Sequence, residues 1–378
     1  MLRKISINNY KIFDNFQMDF TEGVNLICGP NGSGKSALLK LLYKLTKFLA
    51  MPDFSDQMAR SVEETFPFDS FCRWKTPKKG YGEMSLQIEI SDCDDEIFIY
   101  DLSVEYDFAE RDNRIHQELL ALRQDNEDKV VFSFSKGKIE MFTDEGDELS
   151  FKSDLNSSGL IPASHNNNKI RSFGEMIFKI ISTHLTPFCM LKDFTNGSKS
   201  LGMYGENFAS WRFYCANNQA ERQNWILEQC KNFIPGIVSI NNPQKGDMYR
   251  LMMRVNYKGN HYDLTFDELS DGQKVLLALY TIIANVPDGG VVMIDEPENF
   301  LAPGELQPWL DAMHDAWEDR GIQFIITSHN PKTLNWYHDE AIIFETVGEP
   351  PRAVCRKHIE YDTSVTLFGK LCGMEWRK

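Results

Sequence analysis

The alternation of apolar and polar residues at the start of the chain predicts three short strands, at residues 2–8, 16–20 and 24–28. The third strand runs directly into a glycine-rich segment. Beyond that segment, leucines recur along residues 36–49 at a spacing that places one broad apolar stripe on a helix. The beginning of the chain is therefore predicted to form a strand, a glycine-rich loop and a helix in succession.

The middle of the chain, residues 51–248, has a less regular pattern. Period-two alternation and turn residues mark strand pairs, and longer apolar periodicity marks helices. The predicted elements are hairpins of residues 84–90 with 96–104 and of 130–134 with 138–142, and helices within 170–184 and 207–233. We expect this stretch to form an inserted α+β lobe.

From residue 249 onward, strand and helix patterns alternate. The predicted strands are residues 250–257, 261–266, 291–294, 323–327 and 341–345, and the predicted helices follow Gly272 and cover about 304–317. Alternation of this kind is typical of an α/β domain with a mainly parallel sheet flanked by helices. We expect residues 1–50 and 249–378 to form this domain together.

Charge and composition narrow the classes of partner. The net charge of −15 argues against a surface that is broadly attractive to nucleic acid or anionic lipid. Arg73, Lys75, Lys78 and Lys79 flank Trp74 and could form a local basic surface for nucleic acid, but a solvated basic loop is the favoured interpretation of that run. The eight cysteines form no C-x-x-C pair. No apolar run reaches the roughly 20 residues of a membrane span, so we expect a cytoplasmic protein.

One motif carries a specific chemistry. The run Gly29, Pro30, Asn31, Gly32, Ser33, Gly34, Lys35, Ser36 fits G-x-x-x-x-G-K-[ST] between a predicted strand and a predicted helix. Its glycines let successive N–H groups point at one phosphate, and the helix N-terminus adds positive potential. Lys35 is expected to reach the β and γ phosphates of ATP, and Ser36 to ligate Mg²⁺. The alternative is a glycine-rich turn with an accidental lysine.

A second motif defines the class. Residues 269–273 read Leu-Ser-Asp-Gly-Gln before an apolar helix, which resembles the LSGGQ signature of the ABC ATPase superfamily. In that family the signature contacts the γ phosphate of ATP held by the opposite subunit, a role that the resemblance gives to Ser270 and Gly272. The alternative is an ordinary helix N-cap, since Ser and Gly suit that position too.

The third and fourth motifs complete the resemblance. An apolar strand at residues 291–294 ends in Asp295 and Glu296, like a Walker B motif, so Asp295 is expected to hold Mg²⁺ and Glu296 to polarise the attacking water. His329 ends the next predicted strand, like the switch histidine that senses the γ phosphate in the family, so the resemblance makes it a catalytic residue together with Glu296. A lone histidine with a structural role is the alternative.

The opening of the chain resembles the soluble branch that contains RecF, the structural-maintenance-of-chromosomes (SMC) proteins and the OLD-family ATPases. In that branch a basic residue of this segment lies near the nucleotide, which points to Lys11, although a solvated lysine fits equally well. The run from Glu296 to Pro303 is also OLD-like, but Ala302 stands where histidine is common. By its distance after Lys35, Gln87 is the best candidate for the Q-loop glutamine and a further Mg²⁺ ligand; on a strand it can instead face solvent.

The resemblance covers residues 1–50 and 249–345 and the middle only loosely. No sustained heptad pattern predicts a long coiled coil, and the 49 residues after His329 leave no room for a TOPRIM nuclease domain. We therefore expect a stand-alone ATPase. Its predicted function is an ATP-gated switch that closes as a head-to-tail homodimer or higher oligomer and regulates a separate effector protein, in prokaryotic anti-phage defence. The alternatives are a DNA-binding ATPase of repair and an ATP-binding scaffold with little turnover.

Overall fold

The computed structural model describes residues 1–56, 58–93, 95–124, 127–357, 367–368 and 371, so the last part of the expected ATPase core lies outside the described residues. The strands are β1 Leu2–Asn8, β2 Phe16–Asp19, β3 Val24–Cys28, β4 Tyr81–Ser91, β5 Ile97–Asp107, β6 Asp112–Gln124, β7 Glu127–Ser135, β8 Lys138–Phe142, β9 Glu148–Lys152, β10 Ile180–Thr183, β11 Asp193–Phe194, β12 Ile237–Asn241, β13 Gln244–Lys245, β14 Met248–Arg250, β15 Met252–Tyr257, β16 Asn260–Thr265, β17 Val291–Asp295, β18 Gln323–Thr327, β19 Ala341–Val347 and β20 Arg352–Lys357. The helices are α1 Lys35–Phe48, α2 Val62–Thr65, α3 Leu160–Ala163, α4 Asn168–Phe178, α5 Phe208–Asn218, α6 Ala220–Cys230, α7 Asp271–Asn285, α8 Pro303–Arg320 and α9 Pro331–Trp336.

Backbone packing divides the chain into two compact units. Unit 1 comprises Met1–Ile180 and Leu334–Lys378, and unit 2 comprises Ile181–Thr333. The predicted boundaries of the inserted lobe, residues 51–248, were based on the positions of sequence motifs and not on packing. The division into an ATPase core and an inserted lobe therefore stays a prediction.

Unit 1 contains a large antiparallel sheet with the strand order β2-β1-β4-β5-β6-β7-β8-β9. Both predicted hairpins are confirmed, as the pairs β4–β5 and β7–β8, and all strands but β8 are longer than the pattern indicated. Alternate residues of β4 and β5 are buried, as expected for a sheet with one apolar face. The strand between the hairpins, β6, was not predicted.

Fully buried parallel strands carry the motif loops in each unit. In unit 1, β3 pairs in parallel with β19, which pairs antiparallel with β20. In unit 2, β17 lies between β10 and β18 and pairs in parallel with β18. Every residue of β3, β17 and β18 is buried, which explains their continuous apolar character. The predicted α/β class with parallel strands and flanking helices is confirmed.

Two helix predictions needed correction. The expected helix over residues 170–184 ends at Phe178, and β10 follows it directly. The β-branched residues Ile180, Ile181 and Thr183 lose side-chain freedom in a helix and suit a strand, which here neighbours β17. The segment 207–233 forms α5 and α6 with Gln219 between them.

A buried carboxyl group in the large sheet of unit 1 forms hydrogen bonds with the segment that follows β9. Glu118 of β6 is 0% exposed and accepts hydrogen bonds from the Tyr100 hydroxyl at 2.8 Å, the Ser158 hydroxyl at 2.5 Å and the Gly159 N–H at 2.8 Å. Burial raises the pKa of Glu118 to about 7, and the three hydrogen bonds oppose that shift.

This raised pKa predicts a pH-dependent stability. The folded state holds the Glu118 proton more tightly than the unfolded chain, so the resulting stability is present below the ordinary pKa of 4.5 and is lost as the pH rises through about 7. Between pH 5.5 and pH 8, the free energy of unfolding of the wild type should fall by about 2 kcal/mol relative to that of Glu118→Gln. Urea unfolding at both pH values measures this, with the exposed Glu140→Gln as control. The prediction would be contradicted if the free energy of unfolding changed with pH by the same amount in the wild type and in Glu118→Gln.

Candidate functional site

The glycine-rich loop of unit 1 has a backbone that only glycine suits at two positions. Gly29 has a φ of 142°, and a Cβ atom added there would lie 2.2 Å from the carbonyl oxygen of Phe344 in β19. Gly34 has a φ of 107°, and its added Cβ would lie 3.0 Å from the ring of Phe13. Any side chain at Gly29 would therefore displace β19 or the loop. The loop is a backbone cradle of the kind that binds phosphate.

The lysine of the loop is folded over the loop itself. Lys35 is 6% exposed, and its Nζ donates hydrogen bonds to the carbonyl oxygens of Gly29 at 2.8 Å and Pro30 at 3.0 Å. No described side chain caps the N-terminus of α1, where Ser36 is the second residue. A buried ammonium group, an uncapped helix N-terminus and the glycine backbone together fit the phosphates of a nucleotide.

The two remaining candidates of unit 1 have partners of their own. Lys11 has a φ of 49°, its N–H donates to the carbonyl oxygen of Ser70 at 2.8 Å, and its Nζ lies 5.8 Å from the centroid of the Tyr10 ring. Gln87 lies within β4 and donates to Asp101 of β5 at 2.9 Å. The roles of Lys11 at a nucleotide and of Gln87 at a metal ion stay predictions.

In unit 2, the first acid of the Walker B motif is held at the end of its strand. Asp295 is 4% exposed, and its Oδ1 accepts a hydrogen bond from the Thr327 hydroxyl at 2.6 Å. The same hydroxyl accepts the N–H of Glu296 at 3.0 Å. Nδ1 of His184, just after β10, lies 3.3 Å from Oδ2 of Asp295. Thr327 and His184 therefore flank the carboxylate that is the predicted Mg²⁺ ligand.

The second acid and the switch histidine lie together. Nε2 of His329 is 3.6 Å from Oε1 of Glu296, and Asn299 donates to Oε2 of Glu296 at 2.8 Å. Glu296 has a φ of 50°, a left-handed backbone conformation that residues other than glycine seldom adopt. The turn after β17 thus presents one carboxylate to an imidazole that follows β18.

A third acid organises the turn that carries His329. Oε1 of Glu298 accepts a hydrogen bond from the Ser328 hydroxyl and the N–H groups of His329 and Asn330, both at 3.3 Å. Burial raises the pKa of Glu298 above its ordinary value. Sequence reasoning assigned no role to Glu298 or His184. The acidic run was a signal for Glu298, whereas nothing in the sequence marks His184.

The signature segment forms a capping box at the start of α7. Oγ of Ser270 accepts the N–H of Gln273 at 3.3 Å, and Oε1 of Gln273 accepts the N–H of Ser270 at 2.9 Å. A Cβ atom added to Gly272 would lie 2.7 Å from the carbonyl oxygen of Phe300. Ser270 thus caps α7, as the alternative interpretation of the motif expected. This role is compatible with a contact between Ser270 and ATP, which stays a prediction.

A bound Mg²⁺ would depend on few protein ligands. Among the residues that the structure describes, no group of three or more His, Cys, Asp or Glu side chains is arranged to hold a metal ion. Mg²⁺ in nucleotide enzymes commonly uses one or two protein ligands together with substrate phosphates and water. The roles of Ser36 and Asp295 as Mg²⁺ ligands stay predictions.

Two family models match consecutive parts of the chain. One, described as an AAA ATPase domain, matches residues 1–186, and the other, described as "AAA domain, putative AbiEii toxin, Type IV TA system", matches residues 194–335. The SMC head bound to the C-winged helix domain of ScpA is similar in structure, with a TM-score of 0.53 and 13% identity over 94% of this chain and 98% of that one. The SMC head domain from Thermotoga maritima has a TM-score of 0.44 and 14% identity over 95% and 99% of the two chains.

Two curated relatives match shorter stretches. The DNA double-strand break repair Rad50 ATPase of Nanoarchaeum equitans is 38% identical over 63 residues, which are 17% of this chain and 7% of the relative. An uncharacterized ABC transporter ATP-binding protein of Methanocaldococcus jannaschii is 26% identical over 151 residues, 37% of this chain and 25% of the relative. The matched part of the chain therefore spans a quarter or less of the length of either relative.

The chain has a P-loop ATPase fold, with the glycine-rich loop at residues 29–36. In agreement with the resemblance of its motifs, the chain matches two AAA-type ATPase domain models along its length, and its fold is similar to that of an SMC head domain. Among the helices in the described part of the chain, none has both the length and the apolar character needed to cross a bilayer.

Proposed function

We propose that this protein is an ATP-binding and ATP-hydrolysing molecular switch. The observation that carries the proposal is the cluster at the ends of β17 and β18, where Glu296 lies 3.6 Å from His329 directly after the buried Asp295. Adjacent acids with different burial suit different tasks, one as a metal ligand and one as a base.

Each candidate residue has one task in this proposal. The backbone of residues 29–36 binds the phosphates, and Lys35 exchanges its loop carbonyls for phosphate oxygens. Ser36 and Asp295 would hold Mg²⁺, which would supply charge neutralisation at the phosphates. Glu296 orients the attacking water and accepts its proton, and His329 fixes the position of Glu296. Glu298 and Thr327 are positioning residues, because each binds the turn or strand end on which an acting residue lies.

The switch itself requires two copies of the chain. ATP held by the glycine-rich loop of one copy is contacted by Ser270 and Gly272 of the other, so ATP stabilises a closed head-to-tail dimer, and hydrolysis reopens it. Ser270 accepts a hydrogen bond in its cap, and its hydroxyl proton can be donated to a phosphate oxygen. ATP shifts the equilibrium only because it binds the closed state more tightly.

The mass of the Glu296→Gln protein in solution, with and without ATP and Mg²⁺, tests this proposal. We expect a monomer without ATP and a dimer with it, and we expect Ser270→Arg to abolish the shift. Ser61 also forms a capping box, with Glu64 at the start of α2, so Ser61→Arg controls for the loss of a cap. The same mass with and without ATP in the Glu296→Gln protein would contradict an ATP-driven dimer.

The switch is proposed to regulate or recruit a separate effector protein in defence against phage. The description of the second family model, which names a toxin–antitoxin system, supports an assignment of this kind. Co-purification of an ATP-dependent complex from the native host, followed by phage challenge of Lys35→Ala cells, tests it. Unchanged phage resistance in those cells would contradict it.

A second candidate function is DNA binding. Arg73, Trp74 and Lys75 form a short exposed 3-10 helix of unit 1, and Lys75 pairs with Asp14 at 2.6 Å. Basic residues beside an exposed tryptophan suit a nucleic-acid backbone with a stacked base. Binding of single-stranded DNA that weakens steeply with salt and strengthens with ATP would favour this function over an effector switch.

A further inference from the structure

A cleft in unit 2 lies beside the helix that begins at the signature. It has a volume of about 410 Å³ and is lined by α6, the end of α7 and α8. Small and apolar residues form part of its lining, namely Ile283, Ala284, Ala312 and Ala316. Trp225 of α6, 37% exposed, stands at the same cleft. The cleft therefore combines an apolar floor with an accessible aromatic ring.

The two arginines of this cleft are already engaged. Arg222 donates to the carbonyl oxygens of Ala284 at 2.6 Å and Val286 at 3.1 Å, at the C-terminal end of α7. Arg320 donates to the carbonyl oxygen of Ile283 at 2.7 Å and to Asp288 at 2.8 Å. Both guanidinium groups thus satisfy the last carbonyls of α7, so they are poorly placed to attract an anion to the cleft.

The cleft also contains two carboxylates that lack such partners. Asp315 and Asp319 lie one turn apart on α8, and neither makes an ion pair or a hydrogen bond with the residues that the structure describes. Like charges four residues apart repel each other, and acids near a helix C-terminus oppose the helix dipole. A cation bound at this position would relieve both unfavourable interactions.

We propose that this cleft receives an arginine side chain of a partner protein. The aliphatic stem would lie on the apolar floor, and the guanidinium would bind Asp315 and Asp319 with the Trp225 ring beside it. A planar guanidinium offers two faces for stacking and several N–H donors for two carboxylates, which a metal ion or an anionic metabolite does not combine. The inference rests on the proposed function, in which a separate protein is bound.

An occupant of the cleft would act on the signature helix. Trp225 of α6 packs edge-on against Tyr280 of α7 with 5.8 Å between ring centroids, and Gln273 donates to the carbonyl oxygen of Phe233 at 2.8 Å. With Arg222 bound to the end of α7, α6 and the turn after it contact α7 near its start, its middle and its end. Docking at the cleft therefore couples the partner to the position of Ser270.

The test uses N-acetyl-L-arginine N-methylamide as the probe and the full chain without ATP. The matched neutral probe is the citrulline compound, which has the same shape without the charge. Binding is followed by the indole N–H signal of Trp225, one of seven tryptophans, which is assigned by its loss in Trp225→Phe. We expect saturable binding of the arginine probe with a Kd on the order of 1 mM, the range for a ligand of this size.

Two double variants distinguish binding in the cleft from a general effect of the negative charge of α8. Asp315→Asn with Asp319→Asn should weaken binding by at least about tenfold. Asp311→Asn with Glu318→Gln removes two charges from the same helix outside the cleft and should leave the Kd within about twofold. Equal weakening in both double variants, equal binding of the citrulline probe, or no saturable shift of Trp225 would each overturn the proposal. Because ATP is absent, a failure of ATP-driven dimerisation is measured separately and does not affect this outcome.

Discussion

Replacing Glu296 by glutamine is expected to lower kcat for ATP hydrolysis by about 10²–10⁴-fold, the usual contribution of a general base. The amide keeps the shape of the side chain and can still contact Asn299, but it cannot accept a proton from water at neutral pH. Because Glu296 is not a phosphate ligand in the proposed mechanism, the affinity for ATP should change little. Single-turnover release of labelled phosphate from bound ATP measures the chemical step directly.

The chain offers a matched control for this substitution. Glu318 on α8 also lies beside a histidine, 3.3 Å from His314. Glu318→Gln removes the same charge from a comparable pair away from the motif, and its turnover should equal that of the wild type. If Glu296→Gln hydrolyses ATP as fast as Glu318→Gln, Glu296 is not the base, and an ATP-binding scaffold with little turnover becomes the better description.

Replacing Lys35 by methionine is expected to weaken ATP binding by about 10²-fold or more, the range for losing a buried charge-assisted contact. The methionine side chain keeps the volume that fills the loop, but the phosphates lose their nearest ammonium group. Lys40→Met, on the same helix and outside the loop, is the control. Calorimetric titration with ATP and Mg²⁺ gives the affinities, and thermal unfolding shows whether each variant is folded. Equal affinities of the two folded variants would contradict the role of Lys35.

Local sequence signals predicted the motif-bearing elements well. The strand Val24–Cys28 has the predicted bounds, and α1 begins one residue before the predicted start. Each of these elements is specified by neighbours in the chain, namely the apolar run, the glycines and the leucine stripe. The same is true of β17 with its terminal Asp295. The motifs therefore place the main candidate residues without any knowledge of tertiary contacts.

Elements that depend on distant neighbours were not predicted. The sequence of β6 has leucines at spacings that suit a helix as well as a strand, and its Glu118 argues against burial. Only pairing with β5 and β7 makes it a strand of the large sheet. Similarly, His184 reaches Asp295 because β10 neighbours β17, a contact between residues 111 positions apart. No periodicity or motif contains that information.

The backbone of Glu296 links turnover to conformational stability. A residue with a Cβ atom in the left-handed region costs about 1 kcal/mol relative to glycine, because the Cβ crowds the following carbonyl oxygen. Glycine or asparagine at position 296 would relieve that strain and remove the proposed base. If the proposed hydrolysis were lost in a lineage, replacement of Glu296 would thus increase the stability of the protein. Among relatives, glutamate at this position should therefore indicate that selection has maintained ATP hydrolysis, and glycine or asparagine that it has maintained only ATP binding.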